Sequence, residues 1–324
     1  RDAQESRGLG DVYKRQSTYL TGSITGKDRE KNNFDFEKNF IHHLSSPLPY
    51  RRKKEQTIDE FCKDLVKEFE EKIDELGTEN VAALIAEPIL ASGGCIVPPE
   101  GYFKKIYDIC KKNEIIFIAD EVVTGFGRLG HFFSSEEIFG VVPDIITCAK
   151  GITSGYLPLG AVLFSNKLIA DLKNDSSLFF HGYTYSGHPA CCAAALKNIE
   201  ILKRDKILEH VREIEPYFFE KLNKLYELPI VGDIRGKGMM AGIECVINKN
   251  SKEALVLDKA IGSRIDEESI KLGLIIRPLY HICVLSPALI INRSQIDELT
   301  EKLYQAISNT IDQLQTEGLW SQHK

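Results

Sequence analysis

Methionine is almost missing from this sequence: Met239 and Met240 are its only two, and position 1 is an arginine. Residues 1–16, RDAQESRGLGDVYKRQ, are polar and follow neither a helical nor a strand period. Together these features lead to the expectation of a foreign or frayed lead-in on a chain that is a fragment. Long apolar runs are missing too. The longest, such as residues 115–119, fall far short of the ~20 residues that cross a bilayer, so no membrane span is expected. No basic stretch followed by an apolar one opens the chain, so no export signal is expected and the cytoplasm is the expected compartment. An excess of basic charge is also missing. A net charge of -6 and a pI near 5.8 argue against a nucleic-acid partner. The eight cysteines, at positions 62, 95, 110, 148, 191, 192, 245 and 283, include no Cys-x-x-Cys pair. Buried reduced thiols are therefore expected, rather than a metal site or a disulfide framework.

What is present suits an enzyme-sized globular protein. With 324 residues, 43% hydrophobic and 27% charged, the chain can bury a large domain and a smaller one. From Lys53 to about Glu75 the apolar positions Ile58, Phe61, Leu65, Phe69 and Ile73 recur three or four apart, which predicts an amphipathic helix. VAALIAEP reads as a buried strand stopping at Glu87-Pro88, and Pro98-Pro99-Glu100 opens a second helix to about Lys112. EIIFIADE ends a strand on Asp120, DIITCAKG ends another on Lys150, and LGAVLF supplies a fourth. Apolar runs separated by helices predict an α/β fold with a mainly parallel sheet covered by helices on both faces. From about Asp205 the pattern changes. Helical stretches at 205–225 and 252–272 flank short strand runs at VGDIRG, MAGIECV and GLIIRP, and a last helix runs from Arg293 to about Gln315. The expected division is a lead-in over 1–16, a sheet domain over 17–204 and an α+β domain over 205–324.

In parallel sheets, ligands bind beyond the carboxyl ends of the strands. Glu87, Asp120 and Lys150 each stand at such an end, which suggests one site. A lysine closing an apolar strand is oddly placed for a solvated side chain, and desolvation disfavours its ammonium form and frees the amine to attack an aldehyde. On position alone it is equally a lysine snorkelling from the sheet edge. Asp120 shifts the balance. Pyridoxal phosphate is an electron sink only while its ring nitrogen is protonated, and a buried carboxylate holds that proton. The plain alternative for Asp120 is a helix cap or a satisfied surface acid.

Three segments, IADEVVTGFGRLG, PDIITCAKGITSGYLPLGA and HGYTYSGHPA, resemble in order and spacing the signatures of the class III (omega) aminotransferases, of pyridoxal-phosphate fold type I. The resemblance runs from about Ser17 to the last helix. It implies that Lys150 carries the cofactor as a Schiff base and shuttles the proton between the two carbons that exchange the amine. It implies that Asp120 pairs with the ring nitrogen, that Val122 packs on a ring face and that Glu87 belongs to the hydrogen-bonded surroundings of the ring. Thr184, with Tyr183 beside it, would reach the phosphate of the partner's cofactor across a homodimer interface. Arg277 falls where family members hold the substrate carboxylate, as a guanidinium fork can, though a domain-interface salt bridge is its alternative. For Arg128 and Arg235 a structural role is expected.

The sequence also departs from the family. Val123 stands where several relatives have a glutamine bonding the ring hydroxyl. Ser92 stands where ornithine and 4-aminobutyrate enzymes have a gating glutamate, which points toward pyruvate-linked enzymes acting on amines or omega-amino acids. Lys14, Arg15 and Gln16 occupy the place of a Tyr-His-Gly segment, and the phosphate cup would lie before residue 1. The glycines at Thr21-Gly22-Ser23 and Gly26 lie downstream of that cup and are not expected to replace it. The resemblance thus implies a ping-pong transamination from an amine to a keto acid, pyruvate, and weak cofactor binding by the chain as given. The alternatives are an aminomutase or decarboxylase of the same fold, or a fragment without activity.

Overall fold

The computed structural model of the chain describes residues 19–26, 35–174, 181–254 and 261–321. The lead-in expected over 1–16 lies outside them. The Thr21-Gly22-Ser23 stretch falls within a short helix, Tyr19–Ile24.

The apolar runs build the first sheet. Strands β1 (Ala83–Ala86), β2 (Ile116–Asp120) and β3 (Ile145–Cys148) lie side by side in that order and run parallel. Strand β4 (Ala161–Phe164) pairs antiparallel with β3, so the fourth run is an antiparallel edge on a parallel core. Helix α1 (Ile58–Leu76) begins at the first of its apolar positions rather than at Lys53. The Thr57 side chain accepts from the Glu60 N–H, and the Glu60 side chain accepts from the Thr57 N–H, a capping box that fixes the first turn there. Helix α2 (Tyr102–Lys112) follows the Pro-Pro-Glu turn as expected.

These two helices cover one face of the sheet. Leu65, Phe69, Phe103 and Ile106 pack on Phe117 and Ala119, with the Phe103 and Phe117 rings edge to face at 5.2 Å. The other face is more open among the described residues. Ile85, Ile118, Ile145 and Phe164 form one cross-strand row there and are only half-buried, and Val162 in the next row is exposed. Among the described residues, full helical cover is confined to one side. Helix α3 (Pro189–Arg204), which the apolar spacing left unassigned, packs near the β3–β4 end through Ala195 and Leu202 against Phe126, Cys148 and Ile152.

The second sheet is antiparallel. Strands β5 (Val231–Lys237), β6 (Met240–Asn248), β7 (Glu253–Ala254), β8 (Arg277–Leu279) and β9 (Ile282–Leu285) pair in the order β5-β6-β9-β8, with β7 on the free stretch of β6. Helices α4 (Ile207–Asn223), α5 (Ile261–Lys271) and α6 (Arg293–Thr316) pack on it through Phe218, Leu222, Ile265, Leu303 and Ile307. Asn292 and Gln295 form the capping box that starts α6. The GLIIRP run is displaced from its expected place. Gly273 adopts a left-handed φ of 76° and Ile275 is exposed, so the strand starts only at Arg277; its partner β9 was not foreseen.

The cysteines of the described chain are free, and all but Cys192 are buried. Burial pushes the Cys95 and Cys110 thiols up to about 12, so both stay protonated and inert. No group of His, Cys, Asp or Glu suited to a metal occurs among the described residues, and none of their helices is long and apolar enough to cross a membrane.

One buried charge cluster ties separate parts together. Glu244 on β6 is almost fully enclosed and pairs with Arg235 at 2.5 Å, with Arg51, and with His281 at 3.5 Å. Arg235 also reaches Asp233 and, through Nε, the Gly94 carbonyl beyond β1. Burial alone raises the Glu244 pKa, but the His281 hydrogen bond and the Arg235 and Arg51 charges outweigh it and bring the carboxyl to about 2. Its folded pKa thus lies below the unfolded one, so its stabilisation is complete above pH 4.5 and is lost as pH falls toward 2. Removing one partner of such a pair strands a buried charge. Glu244→Gln should therefore lower unfolding free energy by roughly 3–5 kcal/mol in urea titrations at neutral pH. It should also make the variant less sensitive than the parent between those pH values. A variant with parental stability would show that the cluster contributes little.

Candidate active site

The parallel sheet delivers its chemistry at one edge. Glu87 follows the last residue of β1, Asp120 is the last of β2, and Lys150 lies just past β3. Because β1, β2 and β3 are adjacent and parallel, all three stand at their carboxyl ends.

Asp120 is only 2% exposed, and its Oδ1 accepts the Val122 N–H at 3.1 Å. Glu87 is half-buried, and its Oε2 accepts the Ala91 N–H at 3.2 Å. Lys150 departs from the sequence expectation in two ways. The strand ends at Cys148, and Lys150 begins a tight turn, Lys150–Thr153, with a left-handed φ of 43°. Its side chain is exposed rather than enclosed, because the turn carries it off the covered part of the sheet. A non-glycine residue in that region costs on the order of 1–3 kcal/mol and persists only where neighbours hold it. Those neighbours are visible. The Lys150 carbonyl accepts the Gly155 N–H, and Gly151 lies so close to the next loop that a Cβ there would stand 2.9 Å from Phe126 Cβ. Glycine is the residue that admits this approach.

The loop after Asp120 is pinned by a residue the sequence reading passed over. Glu121 is fully buried, and its N–H donates to the Thr147 carbonyl, extending the pairing of β2 with β3. One carboxylate oxygen accepts from the Thr124 and Ser134 hydroxyls at 2.5 and 2.7 Å. The other accepts from the Ser135 N–H and hydroxyl, both at 2.6 Å. Charge-assisted bonds of this kind are stronger than neutral ones. An acid flanked by apolar residues in Ile-Ala-Asp-Glu-Val-Val was a signal, but its three hydroxyl partners converge only in the fold.

The remaining predicted residues distribute as follows. Val122 is 4% exposed beside Asp120, and Val123 is half-buried. Tyr183 and Thr184 are exposed on the loop leading into α3, where the Tyr183 N–H donates to Ser186 Oγ. Arg277 is exposed at the start of β8, in the other sheet. Arg128 and Arg235 are spent on internal contacts: Arg128 donates to the Met239 and Pro287 carbonyls, and Arg235 belongs to the Glu244 cluster. The structure thus brings Glu87, Asp120, Val122 and Lys150 to one edge and leaves Thr184, Tyr183 and Arg277 on other elements.

The sequence profile of the class-III aminotransferases matches residues 17–307. The putrescine–pyruvate aminotransferase of Pseudomonas aeruginosa is 43% identical over 284 residues, which are 87% of this chain and 62% of that protein. A chloroplastic gamma aminobutyrate transaminase 3 of Solanum lycopersicum is 38% identical, over 95% of this chain and 59% of its own length. The chain therefore spans less than two-thirds of the length of these relatives. Among solved structures, an (S)-enantioselective omega-transaminase from Thermomicrobium roseum superposes with a TM-score of 0.87 at 39% identity, covering 92% of this chain and 66% of its own. A PMP-bound aminotransferase from Vibrio fluvialis gives 0.86 at 32% identity, over 96% and 73% of the two chains.

The Glu121 contacts carry a measurable consequence. Glu121→Ala leaves several buried donors without an acceptor, each worth about 1–3 kcal/mol, so a loss of at least about 3 kcal/mol is expected in urea unfolding. Glu121→Gln should lose far less, because its carbonyl can face Ser135 while its amide donates to the two hydroxyls, which can turn round. Equal stability of the alanine variant and the parent would refute the clamp.

Proposed function

Because the chain belongs to the class-III aminotransferase family, we propose that it moves an amino group from an amine or omega-amino acid to a keto acid, with pyruvate as acceptor, using pyridoxal phosphate bound at Lys150. The observation that carries this reading is the pairing, on neighbouring parallel strands, of the buried carboxylate Asp120 with the lysine that follows β3. An acid and an amine at adjacent strand ends are the donor set that a pyridine aldehyde requires, so these residues fit the cofactor. When bound, pyridoxal phosphate supplies the electron sink that lets a proton leave the substrate carbon.

The chain's own residues would divide the work. Asp120 would hold the ring nitrogen of the cofactor, and its burial would shield that contact from water. Lys150 would hold the cofactor through its amine, and the same amine would be the group that moves a proton on the substrate. Val122 supports a ring face, and Glu87 contributes to the polar surroundings. Residues 17–204 would supply this cofactor end and residues 205–324 the substrate end, where Arg277 receives a carboxylate. Thr184 and Tyr183 would serve the phosphate of a second copy. A homodimer is supported by the exposed Tyr156, Tyr183, Tyr185 and Leu196, which are large apolar or aromatic groups to leave in water. Ser92 and the likeness to a putrescine–pyruvate enzyme favour an amine donor with pyruvate. The free thiols suit a reducing compartment such as the cytoplasm.

Two outcomes test this. Lys150→Ala should lose both the visible band of the lysine-bound cofactor and transfer from an amine to pyruvate. Asp120→Asn should keep the band and slow transfer by roughly three orders of magnitude or more, each ~1.4 kcal/mol of lost stabilisation being tenfold. Retention of both properties by the Lys150 variant ends the proposal. Arg277→Ala, in turn, should raise KM for omega-amino acid donors by about tenfold or more while sparing putrescine. Equal losses with both donors would make Arg277 structural.

A further inference from the structure

The left-handed backbone at Lys150 needs a restraint, and α3 provides one. This helix presents an apolar stripe to the Lys150 turn: Ala195 and Leu202 are buried against Ile152 and Phe126, with Ile199 packed beside them. Asn198 breaks that stripe. Its Nδ2 donates to the Gly151 carbonyl at 2.8 Å and to the Ile152 carbonyl at 3.2 Å. These are the two carbonyls that directly follow Lys150 in the chain. The Gly151 carbonyl also accepts the Ser154 N–H, so the turn is fixed both from within and from the helix. On its opposite side, Gly151 abuts the Gly125–Phe126 turn, where a Cβ would stand 3.3 Å from the Gly125 carbonyl. The turn is therefore wedged between α3 and the loop that follows Asp120 and Glu121.

An amide in an otherwise apolar helix face gives up packing that leucine would supply, so its two bonds to backbone carbonyls are its evident contribution. Those bonds orient the peptide planes on the carboxyl side of Lys150. The direction in which the Lys150 side chain leaves depends on the peptide that carries the Lys150 carbonyl, which the Gly155 N–H holds, and Asn198 fixes the next two peptides, so the whole turn behind the lysine is held in one arrangement.

We propose that Asn198 is a positioning residue for the reaction: by holding the two carbonyls after Lys150, it aims the lysine amine at the aldehyde carbon of the cofactor. This rests on the assignment of Lys150 above, and it deepens that assignment by naming a residue that touches neither cofactor nor substrate. The same helix begins immediately after the loop bearing Tyr183 and Thr184, so the aim of the lysine and the placement of that loop share one rigid element.

The test compares the parent protein with Asn198→Leu, which keeps the size and suits the apolar stripe, and with Asn198→Asp, which keeps the shape but presents a carboxylate to two carbonyls. Each is mixed with pyridoxal phosphate and, separately, with pyridoxal, whose binding owes nothing to phosphate contacts. Bond formation is followed by visible absorbance, the product is reduced with borohydride, and the modified lysine is located by mass spectrometry. Visible circular dichroism reports the orientation of the bound ring, and urea unfolding reports the folded fraction. Both variants are expected to modify Lys150 about tenfold more slowly or worse, the worth of roughly one well-placed hydrogen bond. Their visible dichroism should be weakened while they remain folded. Parental rates and dichroism in both variants would overturn the proposal, as would a loss of rate that merely tracks the folded fraction. Modification of a lysine other than Lys150 in the parent protein would instead overturn the underlying assignment, and this inference with it.

Discussion

Parallel hydrogen bonding between β1, β2 and β3 obliges the three chains to leave the sheet on the same side. In an antiparallel arrangement, successive ends would alternate, and Glu87, Asp120 and Lys150 would be divided between two edges. Register then sets their depth. Asp120 pairs with Thr147, so the next positions on β3, leading to Lys150, lie beyond the carboxylate rather than beside the sheet core. The aspartate is enclosed while the lysine stands on the turn beyond it. The proposed reaction asks for that division, one group held still and the other able to reach the substrate.

A shared edge is not yet a site, because strand ends are where chains begin to wander. Two devices restrain them here. Glu121 binds the stretch from Thr124 to Ser135 back onto the end of β2 through a carboxyl group enclosed by hydroxyls and an N–H. Gly151 lets the Lys150 turn settle against Phe126 at a distance no side chain would permit. The two restraints meet, since Phe126 belongs to the loop that Glu121 holds. A disturbance at either would be felt at both Asp120 and Lys150, although neither Glu121 nor Gly151 has chemistry of its own.

Much of this was legible in the residues, and the rest was not for identifiable reasons. The strand runs ending near Glu87 and Asp120 announced themselves by continuous apolar character, and the parallel pairing followed from the helices between them. The capping box at Thr57 was equally local, yet the helix was expected to start at Lys53, ahead of its first apolar position Ile58; periodicity shows which face is buried and not where the first hydrogen bond forms. The displaced strand at Arg277 has a similar cause, because Leu274, Ile275 and Ile276 look like a strand until the glycine before them turns the chain. The role of Glu121 depended on hydroxyls up to Ser135, and that of Asn198 on a turn far away in sequence. Such partners are specified by topology, and no window of sequence contains them.

The loop after β2 also reaches toward the second sheet. Arg128 lies within it and spans to the Met239 and Pro287 carbonyls, on either side of β6 and β9. Burial pushes its guanidinium down to about 10, which still leaves it charged at neutral pH, so both bonds are charge-assisted. Gly238 packs so closely on the Arg128 carbonyl that a Cβ would stand 2.4 Å away, so the contact is backbone against backbone. From the other direction, Arg235 of β5 reaches the Gly94 carbonyl in the turn that follows Glu87. Two arginines thus cross between the sheets in opposite senses, each landing on main-chain oxygens that cannot change their chemistry by mutation. Arg277 stands in the sheet that these contacts hold, and Asp120 ends the strand that leads into the loop from which Arg128 departs. Under the proposed assignment, the separation between a substrate carboxylate at Arg277 and a ring nitrogen at Asp120 is set by main-chain geometry rather than by side chains.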